Sequence, residues 1–411
     1  MARGEGVQGG SGPAERSGAD QAAAFPLADA DCRRQSAEEV KMRLRRVFFS
    51  VLAPVSALIA ALAISSVALL LIHKNPFTAF KSMFSYGIQT SQMISIVNVA
   101  VPLYLSALAV AIGFKMNLFN IGVNGQYLLA ALIAAWAGQL VNLPAPLEIL
   151  YILLVAMAVG SFWAGIAGVL KVTRGVHEVI GTIMLNTIAT GVSSYLLFHF
   201  LRQKSTAANL TTQTPFLPKS ANFPNLAHGA PENLTGFAVV ALIVGALYYV
   251  VVWRTRFGYN LRASGLNPEA ARVSGVDPRG MILKTMLLSG AIAGLVGMTS
   301  LLTFNHAYTL DFPADLGFTG IAVALVGRNH PVGIGVAALL FGFLQISAQI
   351  LDFNDIPKEI FLIMEGVIIL TVVVAYELVR RAVERQEVKA AAEGSRRLAE
   401  ARAEHAEGVT V

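Results

Sequence analysis

Long apolar runs separated by short polar breaks set the pattern of this chain. Nine of them lie at roughly 47–72, 94–114, 119–140, 147–170, 178–201, 236–253, 282–303, 332–351 and 358–377. A helix needs about 20 apolar residues to cross the hydrocarbon core of a bilayer. The pattern therefore predicts an all-α, polytopic transmembrane bundle. An outer-membrane barrel would show weaker, alternating segments of about ten residues. A tenth apolar run, 318–327, is too short to cross alone and is surrounded by Gly317, Gly320, Gly327 and Pro331. It reads as a broken helix or a re-entrant half-span, tolerated at membrane depth only where protein or water covers its backbone. If it crosses with the residues before it, there are ten spans and both termini share one side.

The basic residues favour ten. With the N-terminus inside, 25 of the 31 Lys and Arg fall on inward segments, leaving Lys74, Lys81, Arg202, Lys204, Lys219 and Lys358 outside. That asymmetry predicts both termini in the cytosol. Gly160, Ala164 and Gly168 fall four apart, as do Gly290 and Gly294; such small residues let spans approach closely. Asn75-Pro76 starts a further helix. Phe77, Phe80, Met83 and Phe84 share one face of it, as in an amphipathic helix on the outer surface. The polar segment 202–235 is the largest outward loop.

Composition agrees. Of 411 residues, 55% are hydrophobic and 14% charged, against about 25% charged in soluble domains; the mean hydropathy is +0.61. The net charge of +6 comes from residues flanking apolar spans, next to lipid, and predicts no nucleic-acid partner. Cys32 is the single cysteine, so no internal disulfide can form. Residues 1–46 read as a disordered cytosolic tail. Residues 47–379 form the transmembrane domain, and 380–411 a charged cytosolic tail, solvated or frayed. No metal-ligand spacing or nucleophilic triad is found, and no cofactor is expected on this chain.

The most informative polar segment is 254–281. Asn267 is a good N-cap, Pro268 suits the first helical position, and Glu269 favours the positive helix end. Ala270, Ala271 and Val273 continue the helix, and Gly275 can close it in a left-handed conformation. Such a short helix fixed between two spans can act as a lever, with Arg262 and Arg272 placed to pair with acidic groups of a partner. An interfacial helix resting on headgroups is the competing reading.

The spacing of Gly265, Asn267, Pro268, Ala270, Ala271 and Gly275 resembles the coupling loop of ABC-importer permeases. Residues 111–131 (AIGFKMNLFNIGVNGQYLLAA), 175–186 (GVHEVIGTIMLN) and 317–333 (GFTGIAVALVGRNHPVG) match the same group. Together they resemble permeases of the branched-chain amino acid, ribose and nucleoside importers over about 75–379, and FNIGxxGQ is similar to the guanosine-type nucleoside permeases. His177 and Glu365 depart from the family's commoner Asn or Ser and Gln.

The resemblance implies a transport subunit of the bacterial plasma (inner) membrane without enzyme activity of its own. Its partners would be a separate cytosolic ABC ATPase, a second related permease subunit and an extracytoplasmic substrate-binding lipoprotein. The absence of any Gly-Lys pair, and so of a Walker A loop, agrees. Nucleosides are the expected substrate, with simple sugars or branched-chain amino acids as alternatives.

Polar residues within spans either bond neighbouring helices or line a pathway. Asn120, Asn124, Gln126, Asn186 and Glu365 are the pathway candidates. Asn98 is another intramembrane amide, and Glu178 lies near the cytosolic end of its span, within reach of water or Arg174. A secondary transporter would need several mid-membrane ionisable groups, and a membrane enzyme a cluster of acids and histidines at one face. The sequence offers neither.

Overall fold

Each predicted run is mainly helical wherever the computed structural model describes it. The described residues are 59–203, 212–227, 232–353, 356–357 and 362–371, with isolated positions at 374, 381, 392 and 395. The readings of the N-terminal tail, of Cys32, of 47–58 and, apart from those isolated positions, of the C-terminal tail lie outside them. The helices are α1 (Ile59–Leu71), α2 (Pro76–Gly87), α3 (Thr90–Phe114), α4 (Val123–Gln139), α5 (Ala145–Arg174), α6 (Glu178–Leu196) and α7 (Phe237–Tyr249). After these come α8 (Arg256–Leu266), α9 (Pro268–Val273), α10 (Pro278–Gly294), α11 (Leu316–Val326), α12 (Pro331–Ser347), α13 (Gln349–Asp352) and α14 (Leu362–Thr371). A small antiparallel pair, β1 (Asn225–Ala227) and β2 (Leu234–Thr235), lies before α7. π-Helical turns extend α6 to Leu201 and α7 to Arg254.

Among the described residues, five helices are long and apolar enough to cross a membrane: α3, the extended α6 and α7, α5, and α12 with α13. The bent pair α1–α2 adds a sixth if counted as one span. α4 and α10 have 17 residues each, about 25 Å at 1.5 Å per residue, just under the same threshold. α3 is the central helix, with 83% of its most apolar window buried, against 22–33% for α5, α6 and α7. Those three turn apolar side chains such as Leu154, Met184 and Leu242 outward.

The small-residue stripes of α5 and α10 meet each other. A Cβ on Gly160 would lie 2.3 Å from the Gly290 carbonyl oxygen, and one on Gly294 2.1 Å from that of Ala156. Neither contact leaves room for any side chain, so packing requires glycine there.

Several expectations are corrected in detail. α1 ends at Leu71, and α2 turns away from it by 119°. Asn75 caps α2 by accepting from the Phe77 N–H, as its sequence predicts. Its buried stripe is Ala79, Met83 and Gly87, with Phe77 and Phe84 facing outward. The run 119–140 becomes helical only at Val123, because 117–122 is irregular and Asn117 has φ +57°. The run 282–303 breaks after Gly294 and resumes as a π-helical turn over Ser300–Asn305. The short run 318–327 is the 11-residue α11, only about 16 Å long.

Candidate functional site

The segment after α7 holds two short helices where sequence reasoning placed one. Thr255 caps α8, its hydroxyl accepting from Gly258 N–H at 3.2 Å. Asn267 ends α8 and starts α9, its Oδ1 accepting from the N–H groups of Glu269 and Ala270 at 3.0 Å each. Pro268 occupies the first turn. Gly275 follows with φ +83°, and Val276 N–H bonds back to the Ala271 carbonyl.

The residues of this loop divide by what they touch. Ala271 is buried, whereas Glu269, Ala270 and Arg272 are exposed. Gly265 faces the turn after α3: a Cβ there would lie 2.7 Å from Met116 Cα and 2.8 Å from the Lys115 oxygen. Arg262 turns inward. Its guanidinium donates to the Val252 carbonyl at the end of α7, because the last turn of a helix leaves carbonyls unbonded. Leu266 and Val273, not singled out by the sequence, are 88% and 91% exposed and bracket α9.

Lys115, Arg262, Arg328 and His330 gather at this end of the molecule. Burial, and then the like charges of Arg262 and Arg328, hold the Lys115 ammonium below the usual lysine range. Its Nζ lies 5.1 Å over the Trp253 ring, a favourable cation–π position.

The intramembrane amides form a second region, and here most of the pathway candidates turn out to be joints. Asn120 is fully buried; its Nδ2 donates to Gln126 Oε1 at 3.0 Å and Ser289 Oγ at 2.8 Å. Its Oδ1 accepts from Gln126 Nε2 at 2.9 Å and Gly122 N–H at 3.1 Å. Ser289 donates in turn to the Ala109 carbonyl. Asn186 Oδ1 accepts from Gly125 N–H, and its Nδ2 donates to the Ile121 carbonyl, both at 2.8 Å. These bonds tie α3, α4, α6 and α10 together and satisfy the unwound backbone of 120–122. In this conformation Asn120 uses both amide hydrogens and its oxygen within the cluster, and Gln126 and Asn186 each bond through both oxygen and nitrogen.

Asn98 anchors the opposite end, bonding Asn233 O and Thr235 N–H of the segment before α7. Glu178 pairs with Lys171 and not with Arg174.

Asn124 is placed differently. Its Oδ1 accepts from the Tyr127 hydroxyl at 3.0 Å and from Gly317 N–H at 3.3 Å. It lines a cavity of about 250 Å³ with Thr190, Ser194, Tyr308, Phe312 and Asp315. This cavity lies where α11 begins. Ser106, well inside α3, donates to the Leu316 carbonyl, so the half-helix starts deep among the spans. Tyr308 and Phe312 stack with centroids 4.9 Å apart. Glu365 lies near Thr319 of α11 and feels the charge of Asp315.

Irregular backbone leading to a half-helix beside a polar cavity is how transporters build solute sites. Thr190, Ser194, Tyr308 and Asp315 escaped sequence reasoning; Asp315 just before a short apolar run was the available signal. The cavity is smaller than the roughly 300 Å³ at which ligand pockets begin. Helices must part before a larger solute fits.

Residues 92–373 match the family model described as "Branched-chain amino acid transport system / permease component". The chain belongs to this permease family. It is therefore a membrane transport subunit and not an enzyme. Among relatives of this permease, the nucleoside ABC transporter permease protein NupB of Lactococcus lactis is 31% identical over 339 residues, covering 79% of this chain and 91% of NupB. The guanosine ABC transporter permease protein NupP of Bacillus subtilis is 37% identical over 284 residues, 67% of this chain and 79% of NupP. The glucose ABC transporter permease protein TsgB13 of Haloferax volcanii is 34% identical over 334 residues, 77% of this chain and 85% of TsgB13. A second permease of the same Lactococcus strain, NupC, is 26% identical over 272 residues, 63% of this chain and 83% of NupC. Both NupB and NupC of one organism thus resemble this permease.

Proposed function

We propose that this permease carries nucleosides inward across the bacterial plasma membrane, as one of two related membrane subunits of an ATP-driven importer. The observation that carries the reading is the match to a nucleoside permease over 91% of that relative's length. The cavity's chemistry is compatible: an amide, three hydroxyls, a carboxylate and a stacked aromatic pair suit the hydroxyls and flat base of a neutral nucleoside.

In this reading the chain crosses ten times with both termini cytosolic, and the irregular 306–315 together with α11 makes the eighth crossing. The gathering of Lys115, Arg262, Arg328 and His330 at one end supports that path, because it sets the ends of α3, α7 and α11 and the start of α12 on the same side. The excess of Lys and Arg marks that side as cytosolic. A separate ATPase docks on α8–α9 through Leu266, Ala270 and Val273 with Glu269 and Arg272, while Asn267 and Gly275 hold the helix ends, and Gly265, Ala271 and Arg262 brace it against the bundle. ATP stays on that subunit. An extracytoplasmic binding lipoprotein delivers the solute at the opposite end.

Glucose import is the second reading, favoured by the haloarchaeal relative at 34% identity. Uptake of labelled guanosine, uridine and glucose by cells with and without this gene separates the two. Loss of nucleoside uptake on deletion, restored by the intact chain, is the expected result. Loss of glucose uptake alone would transfer the assignment to sugars.

A further inference from the structure

A large apolar groove of about 920 Å³ runs between α3, α7 and α12, apart from the polar cavity. Small residues form much of its wall, among them Ala100, Ala241, Gly245, Gly335 and Ala338, while Tyr249 and His330 stand at one end. Along α7 it extends from Ala238 to Val250, about 18 Å at the helical rise. One leaflet contributes half of a hydrocarbon core about 30 Å thick, so the groove matches the length of one acyl chain.

The end of the groove is aromatic and then basic. His330 lies 6.1 Å from the Tyr249 ring and 5.5 Å from that of Trp253, which stacks on Tyr249. Lys115 sits over Trp253, and the charges felt by Lys115 are those of Arg262 and Arg328, both of its own sign. The Lys115 ammonium, set beside these partly buried rings, suits an anion. Aromatic rings favour the headgroup level, and basic pockets between helices on the cytosolic side hold anionic headgroups.

We propose that the groove between α3, α7 and α12 binds an anionic phospholipid of the cytosolic leaflet, its acyl chain along α7 and its phosphate against Lys115 and His330. The bound lipid fills the wall beside the spans that carry α8 and α11, and anionic lipid content then tunes transport.

The test uses the full chain purified with its partner subunits and incubated with phosphatidylglycerol or phosphatidylcholine bearing a photoactivatable group near the acyl terminus. Adducts are expected on 238–250 and 331–339, with phosphatidylglycerol preferred. In Gly335→Leu the adducts should vanish while elution and melting stay unchanged, because a Cβ there meets only a Tyr104 ring carbon at 3.7 Å. In Lys115→Gln the adducts should remain, with about a fivefold lower preference for phosphatidylglycerol. Equal labelling by both lipids, labelling indifferent to Gly335→Leu, or adducts found only outside 238–250 and 331–339 would each overturn the proposal. None of these outcomes depends on which solute is carried.

Discussion

Asn120 and Asn267 each accept backbone N–H bonds through Oδ1, yet one is buried where four helices meet and the other stands exposed at the joint of two short helices. Around Asn120 the bonds to Gln126 and Ser289 reach α4 and α10, and Ser289 lies 169 residues away in sequence. Around Asn267 the side-chain bonds reach no more than three residues ahead. The interior amide therefore holds spans together, and its loss falls on the fold. The loop amide fixes only local shape, leaving Leu266 and Val273 displayed beyond the bundle. Folding stability is the measure that separates the two regions.

The largest loss is expected for Asn120→Leu. It strips the partners of Gln126 Oε1, Gln126 Nε2 and Gly122 N–H at once, and an unsatisfied buried polar group costs about 1–3 kcal/mol. Three such groups amount to at least about 3 kcal/mol, a large part of a typical domain's total stability. Thermal unfolding of the purified protein in detergent should show a drop of many degrees with reduced yield. A melting point equal to that of the parent would mean the amide cluster is not a joint.

Gly265→Leu is the next largest, and it tests the boundary between the two regions. Gly265 belongs to the loop by sequence, but it packs on the backbone of Lys115 and Met116. Overpacking of this kind costs about 1–3 kcal/mol. Melting and nucleoside uptake should fall together. Lost uptake with unaltered melting would assign Gly265 to the docking surface instead.

Local chemistry was the part legible in sequence. The cap at Asn267, Pro268 in the first turn and the left-handed Gly275 need only neighbouring residues, and the structure has all three. The facing glycine stripes of α5 and α10 were visible as spacing, though not as partners. The joint roles of Asn120, Gln126 and Asn186 were not legible, because their partners lie on other helices. α8 was missed because Arg256–Leu266 mixes charge with small residues, and its inner face is defined only by Leu261, Ser264 and Gly258 against the bundle. The inward turn of Arg262 depends on the unpaired carbonyl of Val252, which no side-chain pattern reveals. The cavity combines α4 and α6 with the approach to α11, and only the assembled spans bring Asn124 to Asp315.

Asn267→Ala should cost about 1 kcal/mol, the usual value of an N-cap. The loss falls on α9, where the Glu269 and Ala270 N–H groups would turn to water. Melting should shift by a few degrees at most, with uptake reduced but present. Complete loss of uptake would mean that Asn267 itself touches the partner.

The smallest effect on folding, and the cleanest separation of the regions, belongs to the double variant Leu266→Asp, Val273→Asp. Both side chains are almost fully exposed, so their removal costs the isolated chain little, within about 0.5 kcal/mol for surface substitutions. A partner that buries them would lose about 1.5–3 kcal/mol for each, the worth of burying a Val or Leu side chain, and would face two desolvated carboxylates as well. Parental melting together with loss of the co-purifying ATPase and of uptake is the expected result. Retained ATPase and uptake would show that these two side chains face solvent in the assembled importer. The docking contacts would then have to come from Pro268, Glu269, Ala270 and Arg272, the remaining exposed positions of α9.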